Sequence, residues 1–324
     1  MKSSSFALFQ PQPDSFADKV GKTIQHYQQL GLIRWRQWQF DTGSRPLPAP
    51  IFVIGCSRAG TTLVYKTLSQ SEALGSIDKE THDLWAELHP PSERDWDSHR
   101  IPPSVACTQD SQYIARWFYS QTGQARFVDK NNQNGLSVAY LAKLFPAAHF
   151  VYVKRHPGDN LLSLIRGWQK PSEFATWSDK LPAKLNLTEA DIKQWCFFIA
   201  HGWREYINQS IADVCRFQYQ SINQAILTDK PLVPPEQWHE VFYEDLVDDP
   251  KQSFAQLFAT LQLPFESKLQ QHCQDVHDKP YNTFSAIALN KWQQSEWQAA
   301  ISEQLPQLAP LCHQMGYATE SHDA

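Results

Sequence analysis

The sequence predicts a three-layer α/β/α fold with a central, mainly parallel sheet. Three segments indicate this fold, because each joins an apolar, β-rich run to a stretch with helical spacing; they lie at 51–68, 126–145 and 149–168. Successive strand–helix units of this kind pair their strands in parallel through right-handed crossovers. The chain has 324 residues, 42% of them hydrophobic, so it can bury the core of a domain of this size.

The first unit contains a glycine-bracketed loop, Gly55 to Gly60, between a buried strand and the start of a helix. Backbone N–H groups at a helix N-terminus attract anions, and glycine lets the backbone approach the anion closely. The loop therefore predicts a P-loop-like phosphate site. Thr61 stands where the P-loop has its lysine, and Arg58 offers charge from another point of the loop. A magnesium-bound triphosphate that is hydrolysed is therefore disfavoured.

Two further strands are expected outside these runs. One is a short strand at Ala73–Ile77, which would place Glu80 and His82 close to its carboxyl end. The other is Glu240–Tyr243, which follows a Trp- and Phe-rich segment at 169–235. We interpret that segment as a helical insertion that shapes access of the substrate. Ligands of open α/β sheets bind beyond the carboxyl ends of the strands, so Glu80 and His82 are site candidates.

The chain is expected to form an N-terminal segment, one large domain and a short C-terminal tail, at 1–50, 51–317 and 318–324. Within the first segment, residues 1–14 are predicted to be a loose tail. An amphipathic helix follows from Phe16 to about Phe40, because apolar residues recur every three or four positions. The sequence favours packing of this helix on the domain over contact of Trp35 and Trp38 with a membrane surface.

Composition excludes several classes of protein. A net charge of −5 and a pI near 6.2 argue against a nucleic-acid-binding protein. Six scattered cysteines without a C-x-x-C pair favour reduced thiols in a cytoplasmic protein. No apolar stretch approaches the length of a membrane-spanning helix, and the N-terminal apolar run is too short for a signal peptide. No spacing typical of metal ligands is present in the sequence.

Four motifs in a fixed order resemble those of sulfotransferases that use 3′-phosphoadenosine 5′-phosphosulfate (PAPS), most closely the bacterial and tyrosylprotein-type branch. They are GCSRAGTTL from Gly55, VDKNNQN from Val128, FVYVKRHPGDNLLS from Phe150 and FYEDLVDDP from Phe242, followed by NKW from Asn290 and MGY from Met315. The resemblance covers residues from about 51 to 317. It implies a P-loop-like α/β fold, PAPS as the donor, 3′,5′-ADP as the product, and no metal.

The resemblance also implies which residues hold the donor. The 5′-phosphosulfate would contact residues of the first loop and helix, namely Arg58, Ala59, Gly60, Thr61 and Thr62. The 3′-phosphate would contact Arg155 and Ser163, since a guanidinium fork suits a dianion. Tyr243 would lie near the adenine. Lys291 would reach the sulfonate or a nearby phosphate, and Ser285 is a further candidate for that region.

The chain departs from the family motifs at a few positions. Ser57 replaces the usual proline and Ala59 the usual serine, which removes one hydroxyl from the loop. His156 replaces the usual aspartate after the 3′-phosphate arginine, while Asn131 and Asn132 stand where proline or Asp-Pro is common. These differences bear on the subfamily more than on the class of donor.

Sulfuryl transfer is an in-line displacement at sulfur by a hydroxyl or amine of the acceptor. It needs a base for the acceptor's proton and cations for the leaving phosphate oxygen. The resemblance indicates Glu80 as the base, and burial is expected to raise its pKa. His82 is the alternative base, because imidazole titrates near neutral pH. Lys130 would stabilise the bridging oxygen, and Arg58 would assist.

Two other functions remain open from the sequence. A P-loop kinase or NTPase shares the strand, loop and helix, but it requires a loop lysine and an acidic residue closing an apolar strand. The strand VYVK is followed by Arg155 instead. A non-catalytic nucleotide-binding module is the third possibility, against which the set of Glu80, Lys130 and Arg155 argues. The expected acceptor is a small molecule or a glycan- or lipid-linked group, and the oligomeric state is open.

Overall fold

The computed structural model describes residues 16–43, 45–187, 192–274 and 287–318. The tail predicted at 1–14, the candidate Ser285 and all but the first residue of the tail at 318–324 lie outside these residues. The sheet consists of β1 (Ile51–Gly55), β2 (Val128–Lys130), β3 (His149–Lys154) and β4 (Trp238–Phe242). Its strand order is β2-β1-β3-β4, and every neighbouring pair is parallel. The predicted α/β class with a mainly parallel sheet is confirmed.

Helices cover both faces of this sheet. In chain order they are α1 (Phe16–Thr42), α2 (Thr61–Leu68), α3 (His82–Leu88), α4 (Thr108–Thr122), α5 (Val138–Leu144), α6 (Pro157–Trp168), α7 (Pro171–Phe174), α8 (Ile211–Asp229), α9 (Tyr243–Asp248), α10 (Pro250–Thr260), α11 (Ser267–Gln274) and α12 (Gln298–Gln314). Side chains of β1 alternate between two apolar clusters: Phe52 and Ile54 enter one, Ile51 and Val53 the other. This alternation places a core on each face and accounts for the fully buried β1.

The strand predicted at Ala73–Ile77 is not formed. Only Gly75 joins the sheet, in a single parallel bridge to Phe127. Asp78 adopts a left-handed conformation with φ 57°, which ends the extended path three residues later. The strand predicted at Glu240–Tyr243 is wrong at its last residue, because β4 ends at Phe242 and Tyr243 begins α9.

The segment at 169–235 is helical mainly in α8. Before α8, the described residues form only the short α7 and 3₁₀ turns at Ser178–Lys180 and Trp203–Tyr206. No helix among the described residues combines the length and the apolar character needed to cross a bilayer.

The C-terminal part of α1 packs on α4. Arg36 donates from Nη1 to the Gln121 carbonyl oxygen at 2.9 Å, and Arg116 donates to the Asp41 carboxylate at 2.7 Å. Trp35 and Trp38 do not join this contact, and both are exposed to solvent. The helix therefore lies on the domain through one face only.

Because the four strands run in the same direction, their carboxyl ends meet at one edge of the sheet. Gly55 ends β1 and Lys130 ends β2, while Arg155 and Tyr243 directly follow β3 and β4. In the sheet β1 lies between β2 and β3, so the chain passes to one side of β1 to form β2 and then crosses to the other side to form β3. Such a switch point opens a crevice at the carboxyl edge, where ligands of α/β sheets bind.

Candidate functional site

A cavity of about 440 Å³ lies at the carboxyl edge of the sheet. Apart from Ala59, every predicted site residue that the structure describes lines it: Arg58, Gly60, Thr61, Thr62, Glu80, His82, Lys130, Arg155, Ser163, Tyr243 and Lys291. Ala59 is buried in an apolar cluster, and its N–H donates to the Cys56 carbonyl oxygen at 3.0 Å. Ala59 therefore shapes the loop from behind instead of facing the cavity.

The loop from Gly55 to Gly60 has glycine at both ends for steric reasons. Gly60 has φ 99°, and a Cβ added there would lie 2.3 Å from Cδ2 of Tyr243. Gly55 has φ 152°, and an added Cβ would lie 2.5 Å from the Val153 carbonyl oxygen. The loop is thus pressed against β3 and the Tyr243 ring, a close approach that only glycine permits. It leads into α2, whose N-terminal threonines line the cavity.

Arg155 and Tyr243 lie beside the loop and contact it. The Arg155 guanidinium lies 4.2 Å from the centre of the Tyr243 ring, and its Nη1 donates to the Arg58 carbonyl oxygen at 2.8 Å. Arg155 Nε is buried without a hydrogen-bond partner among the described residues. Arg58 in turn donates from Nε to Ser163 Oγ at 3.3 Å. Arg155 and Ser163, eight residues apart in sequence, therefore meet around Arg58.

Three cations share this end of the cavity: Arg58, Arg155 and Lys291. Burial, and then the charge of Arg155, lower the pKa of Arg58. Burial also lowers the pKa of Lys291, again with Arg155 as the next cause. Mutual repulsion among buried cations is relieved when an anion binds between them, so the cluster suits a phosphate dianion.

Lys291 is held over the cavity by Asp159 in the first turn of α6. The Asp159 carboxylate accepts the N–H groups of Asn290 at 2.6 Å and Trp292 at 3.4 Å, on either side of Lys291. Asn290 adopts a left-handed conformation with φ 57°. The turn that carries Lys291 is therefore fixed by a buried carboxylate 131 residues away in sequence.

Glu80 contacts both of the other catalytic candidates. One carboxylate oxygen accepts a hydrogen bond from Lys130 Nζ, and the other lies 2.6 Å from His82 Nε2. Burial by itself would raise the pKa of Glu80, but Lys130 and His82 outweigh it and hold the pKa well below its usual range. The expectation of a raised pKa is therefore wrong for this arrangement of side chains. His82 Nδ1 is buried without a partner among the described residues.

A buried hydrogen-bond network fixes the backbone beside Glu80. Thr81 donates from Oγ1 to Asp129 Oδ1 at 2.6 Å, and Trp85 Nε1 donates to Asp129 Oδ2 at 3.2 Å. Asn134 donates to the same carboxylate at 2.8 Å. Burial raises the pKa of Asp129 despite these donors. Since Asp129 precedes Lys130 in β2, the network keeps Glu80 and Lys130 in register.

An aromatic wall lines part of the cavity and consists of Phe174, Trp177 and Phe197. Phe197 has φ 67°, a strained conformation for an aromatic residue. Its N–H donates to the Phe174 carbonyl oxygen at 2.8 Å, and its carbonyl accepts from Trp177 Nε1 at 3.1 Å. A Cβ added at Gly167 would lie 2.5 Å from the Phe197 ring, so that glycine makes room for it. Glu173 also lines the cavity.

The departures from the family motifs have structural roles here. His156 Nδ1 accepts the Gly158 N–H at 3.2 Å and so caps α6, the task that an aspartate performs equally well. Ser57 and Asn132 line the cavity, and Ser57 Oγ and Asn132 Oδ1 are buried without partners among the described residues.

Sequence reasoning missed the roles of Asp159, Thr81 and Asp129. It interpreted the Trp- and Phe-rich segment at 169–235 as shaping substrate access, but it did not identify which of those residues line the cavity. Asp159 lies within the motif that begins at Phe150, and its place in the first helical turn after Pro157 was the available signal. The left-handed Phe197 has no signal in the local sequence, because its conformation depends on contacts with Phe174 and Trp177.

The chain is similar to known proteins in sequence and in fold. A family model described as "Sulfotransferase family" matches residues 50–267. No curated protein matches the chain. Sulfotransferase STF9 from Mycobacterium avium aligns with a TM-score of 0.56 and 14% identity, covering 89% of this chain and 82% of that one. The sulfotransferase domain of the Synechococcus PCC 7002 olefin synthase aligns with a TM-score of 0.52 and 18% identity, covering 86% and 98%. At these identities both structures show a shared fold.

Proposed function

The chain belongs to the sulfotransferase family, and on that premise we propose that it transfers a sulfuryl group from PAPS to a hydroxyl or amine of an acceptor. The observation that supports this best is the presence of two anion-binding positions in one cavity. The first is the Gly55–Gly60 loop at the start of α2. The second is the cluster of Arg155, Ser163 and Lys291.

The side chains of the cavity fit a nucleotide with two separate anionic ends. Arg155 Nε and Ser57 Oγ are buried donors without partners among the described residues. Lowered pKa values of Arg58 and Lys291 reflect burial and then repulsion from Arg155, which a bound anion relieves. Arg58, Gly60, Thr61 and Thr62 would hold the 5′-phosphosulfate. Arg155 and Ser163 would hold the 3′-phosphate.

Tyr243 would contact the adenine, and Lys291 would close over the phosphates. Tyr243 already stacks on Arg155 and fills the space that Gly60 leaves, so its ring borders both anion positions. The Asp159 carboxylate fixes the turn that carries Lys291, so this turn need not reorganise when a nucleotide binds. When bound, PAPS supplies the sulfuryl group and a phosphate oxygen that leaves with negative charge.

Glu80 and Lys130 would act as a linked pair. Lys130 Nζ is the cation positioned to stabilise negative charge on the leaving oxygen. When Lys130 turns toward that charge, Glu80 loses the neighbouring charge that lowers its pKa most, so the pKa of its carboxylate rises. Glu80 becomes a better base at that moment and accepts the acceptor's proton on its carboxylate. His82 holds the second carboxylate oxygen in place.

The aromatic wall would bind the acceptor. Phe174, Trp177 and Phe197 offer flat apolar faces in the cavity that Glu80 also lines, which suits an acceptor with a ring next to its hydroxyl. Behind the wall, His99 packs edge-on against Trp177 at 4.5 Å, and burial lowers its pKa to about 3, so it is uncharged at neutral pH. The carboxylate of Glu173 in the same cavity disfavours anionic acceptors.

Titration calorimetry with 3′,5′-ADP, 5′-AMP and Mg-ATP tests the nucleotide. A hydrogen-bonded charge contributes about 1.5–3 kcal/mol, so 3′,5′-ADP should bind about tenfold to a hundredfold more tightly than 5′-AMP. Arg155→Ala should remove that preference, whereas Arg204→Ala, at an exposed arginine outside the cavity, should keep it. Tighter binding of Mg-ATP would favour a kinase or NTPase instead.

Transfer itself is measured with sulfur-labelled PAPS and a panel of ring-bearing alcohols. Label should reach an acceptor in the presence of wild-type protein. Binding of 3′,5′-ADP without transfer to any hydroxyl or amine of the panel would favour a non-catalytic nucleotide-binding module.

A further inference from the structure

One face of α1 exposes large apolar side chains along its whole described length. Ile24 is 54% exposed, Tyr27 68%, Trp35 52% and Trp38 62%. At 3.6 residues per turn these four residues share one face of the helix. It lies on the side away from Arg36, which contacts α4. A single exposed apolar residue is ordinary, but a continuous stripe of four marks an interaction surface.

The stripe is symmetric about Gly31. With Gly31 between its two halves, the positions Ile24, Tyr27, Gly31, Trp35 and Trp38 are separated by three, four, four and three residues. Reversing the chain direction about Gly31 therefore places Ile24 on Trp38 and Tyr27 on Trp35. In a two-fold symmetric interface each residue contacts a counterpart that contacts it in return. The stripe has this property by itself, and its mean spacing of 3.5 residues matches the seam of paired helices.

Gly31 stands at the centre of the stripe with open space around it. A Cβ added there would meet no atom within 4 Å, and no strained φ requires glycine. Glycine inside a helix is less stable than alanine at the same position. Close approach of a second helix explains its presence, because small residues let two helix backbones come near each other.

Charges along the helix allow the reversed arrangement. From Lys19 to Phe40 the sequence has basic residues and no acidic one. In the reversed register Arg34 faces Gln28, so no like charges meet along the seam. A parallel register would instead place Arg34 near Arg34 of the other copy. Only the reversed pairing satisfies both the apolar stripe and the charges.

We propose that this face of α1 binds the same face of a second copy of the chain, antiparallel and centred on Gly31. Aromatic side chains bury roughly 150–250 Å² each, so the stripe contributes roughly 400 Å² per copy and roughly 800 Å² in all. Stable interfaces bury about 1,200 Å² or more. The pairing is therefore weak and depends on protein concentration.

Sedimentation velocity of the full chain tests the pairing, from about 1 to about 200 µM, a range that reports micromolar dissociation constants. The sedimentation coefficient should rise from that of one chain toward that of two. Gly31→Arg places two cations at the two-fold axis and should weaken association at least about tenfold, or 1.4 kcal/mol. Arginine favours helix more than glycine does, so loss of α1 cannot explain that result.

Gln29→Arg is the matched control, because it adds the same charge to the same helix on the side away from the stripe. Association of this variant should equal that of wild type. A single-chain sedimentation coefficient at every concentration overturns the proposal, as does equal association of wild type and Gly31→Arg. The pairing would also be overturned if the protein were monomeric and co-sedimented with phosphatidylserine vesicles, and if Trp35→Glu abolished this co-sedimentation. That result would assign the face to a bilayer.

Discussion

Lys130 and Glu80 form an ion pair at the carboxyl edge of the sheet, and His82 contacts the other oxygen of the same carboxylate. The pair joins the end of β2 to the residue two positions before α3. It keeps the proposed base ionised and keeps the proposed cation beside it. Glu80 would act on the acceptor side of the sulfuryl group and Lys130 on the leaving-oxygen side. Before any ligand binds, the two side chains therefore neutralise each other.

Glu80→Gln should abolish most of the transfer while keeping the cavity intact. Glutamine has nearly the same size but cannot accept the acceptor's proton, so the rate should fall by about 10² to 10⁴. Affinity for 3′,5′-ADP should not fall, because Lys130 is no longer held by a carboxylate. Single-turnover assays with labelled PAPS measure the rate, and calorimetry measures the affinity.

Glu87→Gln is the control, since Glu87 is exposed on α3 and lies outside the cavity. It should transfer at the wild-type rate. If Glu80→Gln kept most of its rate and His82→Asn lost it, His82 would be the base.

Gly60→Ala should destabilise the protein by more than backbone strain alone. Both Gly60 and Gly202 have left-handed φ, 99° and 85°, but only Gly60 would bring a Cβ within 2.3 Å of another side chain, Tyr243. Strain from φ alone is about 1–2 kcal/mol, which is the expected loss for Gly202→Ala. Gly60→Ala should lose at least about 1 kcal/mol more through overpacking.

Urea unfolding of both variants measures the difference. Equal losses for Gly60→Ala and Gly202→Ala would mean that the Tyr243 ring moves aside without penalty, and that the close contact is not needed.

Asp159→Ala should weaken binding of 3′,5′-ADP by releasing the turn that carries Lys291. A loss of about tenfold is expected, close to the loss for Lys291→Ala, because each removes one charge-assisted contact. The double variant should lose no more than either single variant, since Asp159 acts through Lys291. Calorimetry on the four proteins completes the cycle.

Asp159→Asn separates anchoring from charge. The amide oxygen still accepts a backbone N–H, and the negative charge near the anion site is gone, so affinity should stay or rise. A tenfold loss for Asp159→Asn, with full additivity in the double variant, would show that Asp159 does not work by holding Lys291.

Because of His99, the free energy of unfolding should decrease as the pH is lowered below about 6.5. Burial, followed by the charges of His82 and Arg94, lowers its pKa from 6.5 to about 3 in the folded protein. Between these values the unfolded chain binds the extra proton, so stability is full above pH 6.5. It declines by up to about 1.4 kcal/mol per pH unit as the pH falls.

His99→Asn should flatten this dependence. Its side-chain oxygen can accept the Ile199 N–H that His99 Nδ1 accepts at 2.9 Å, yet it binds no proton in this range. Urea unfolding at several pH values between 7 and 4 measures both slopes, and identical slopes would contradict the assignment.

Much of this arrangement could be predicted because it is encoded locally. The Gly55–Gly60 loop, β3 and the Pro157-led helix each depend on residues within one short run, and the parallel sheet follows from their order. The prediction of a short strand at Ala73–Ile77 was wrong, because a local β pattern does not show where the chain leaves the sheet. Here it leaves the sheet by Asp78.

The long-range contacts of the site could not be predicted from the sequence. Thr81 meets Asp129 across 48 residues and Asp159 meets Asn290 across 131, and neither pairing has a periodic signature. The pKa of Glu80 was expected to be raised because burial was visible in the pattern while the contact with Lys130 was not. Whether a carboxylate is a good base thus depends on its partner, which only the fold shows.

Tyr243 contacts both of the regions of the cavity that are proposed to bind anions. Tyr243 touches the Gly60 end of the loop on one side and carries Arg155 on its face. Tyr243 thus fixes the position of the Gly60 backbone relative to the Arg155 guanidinium. A smaller residue at position 243 would remove this shared support, so a single substitution there is expected to weaken both of the proposed phosphate contacts.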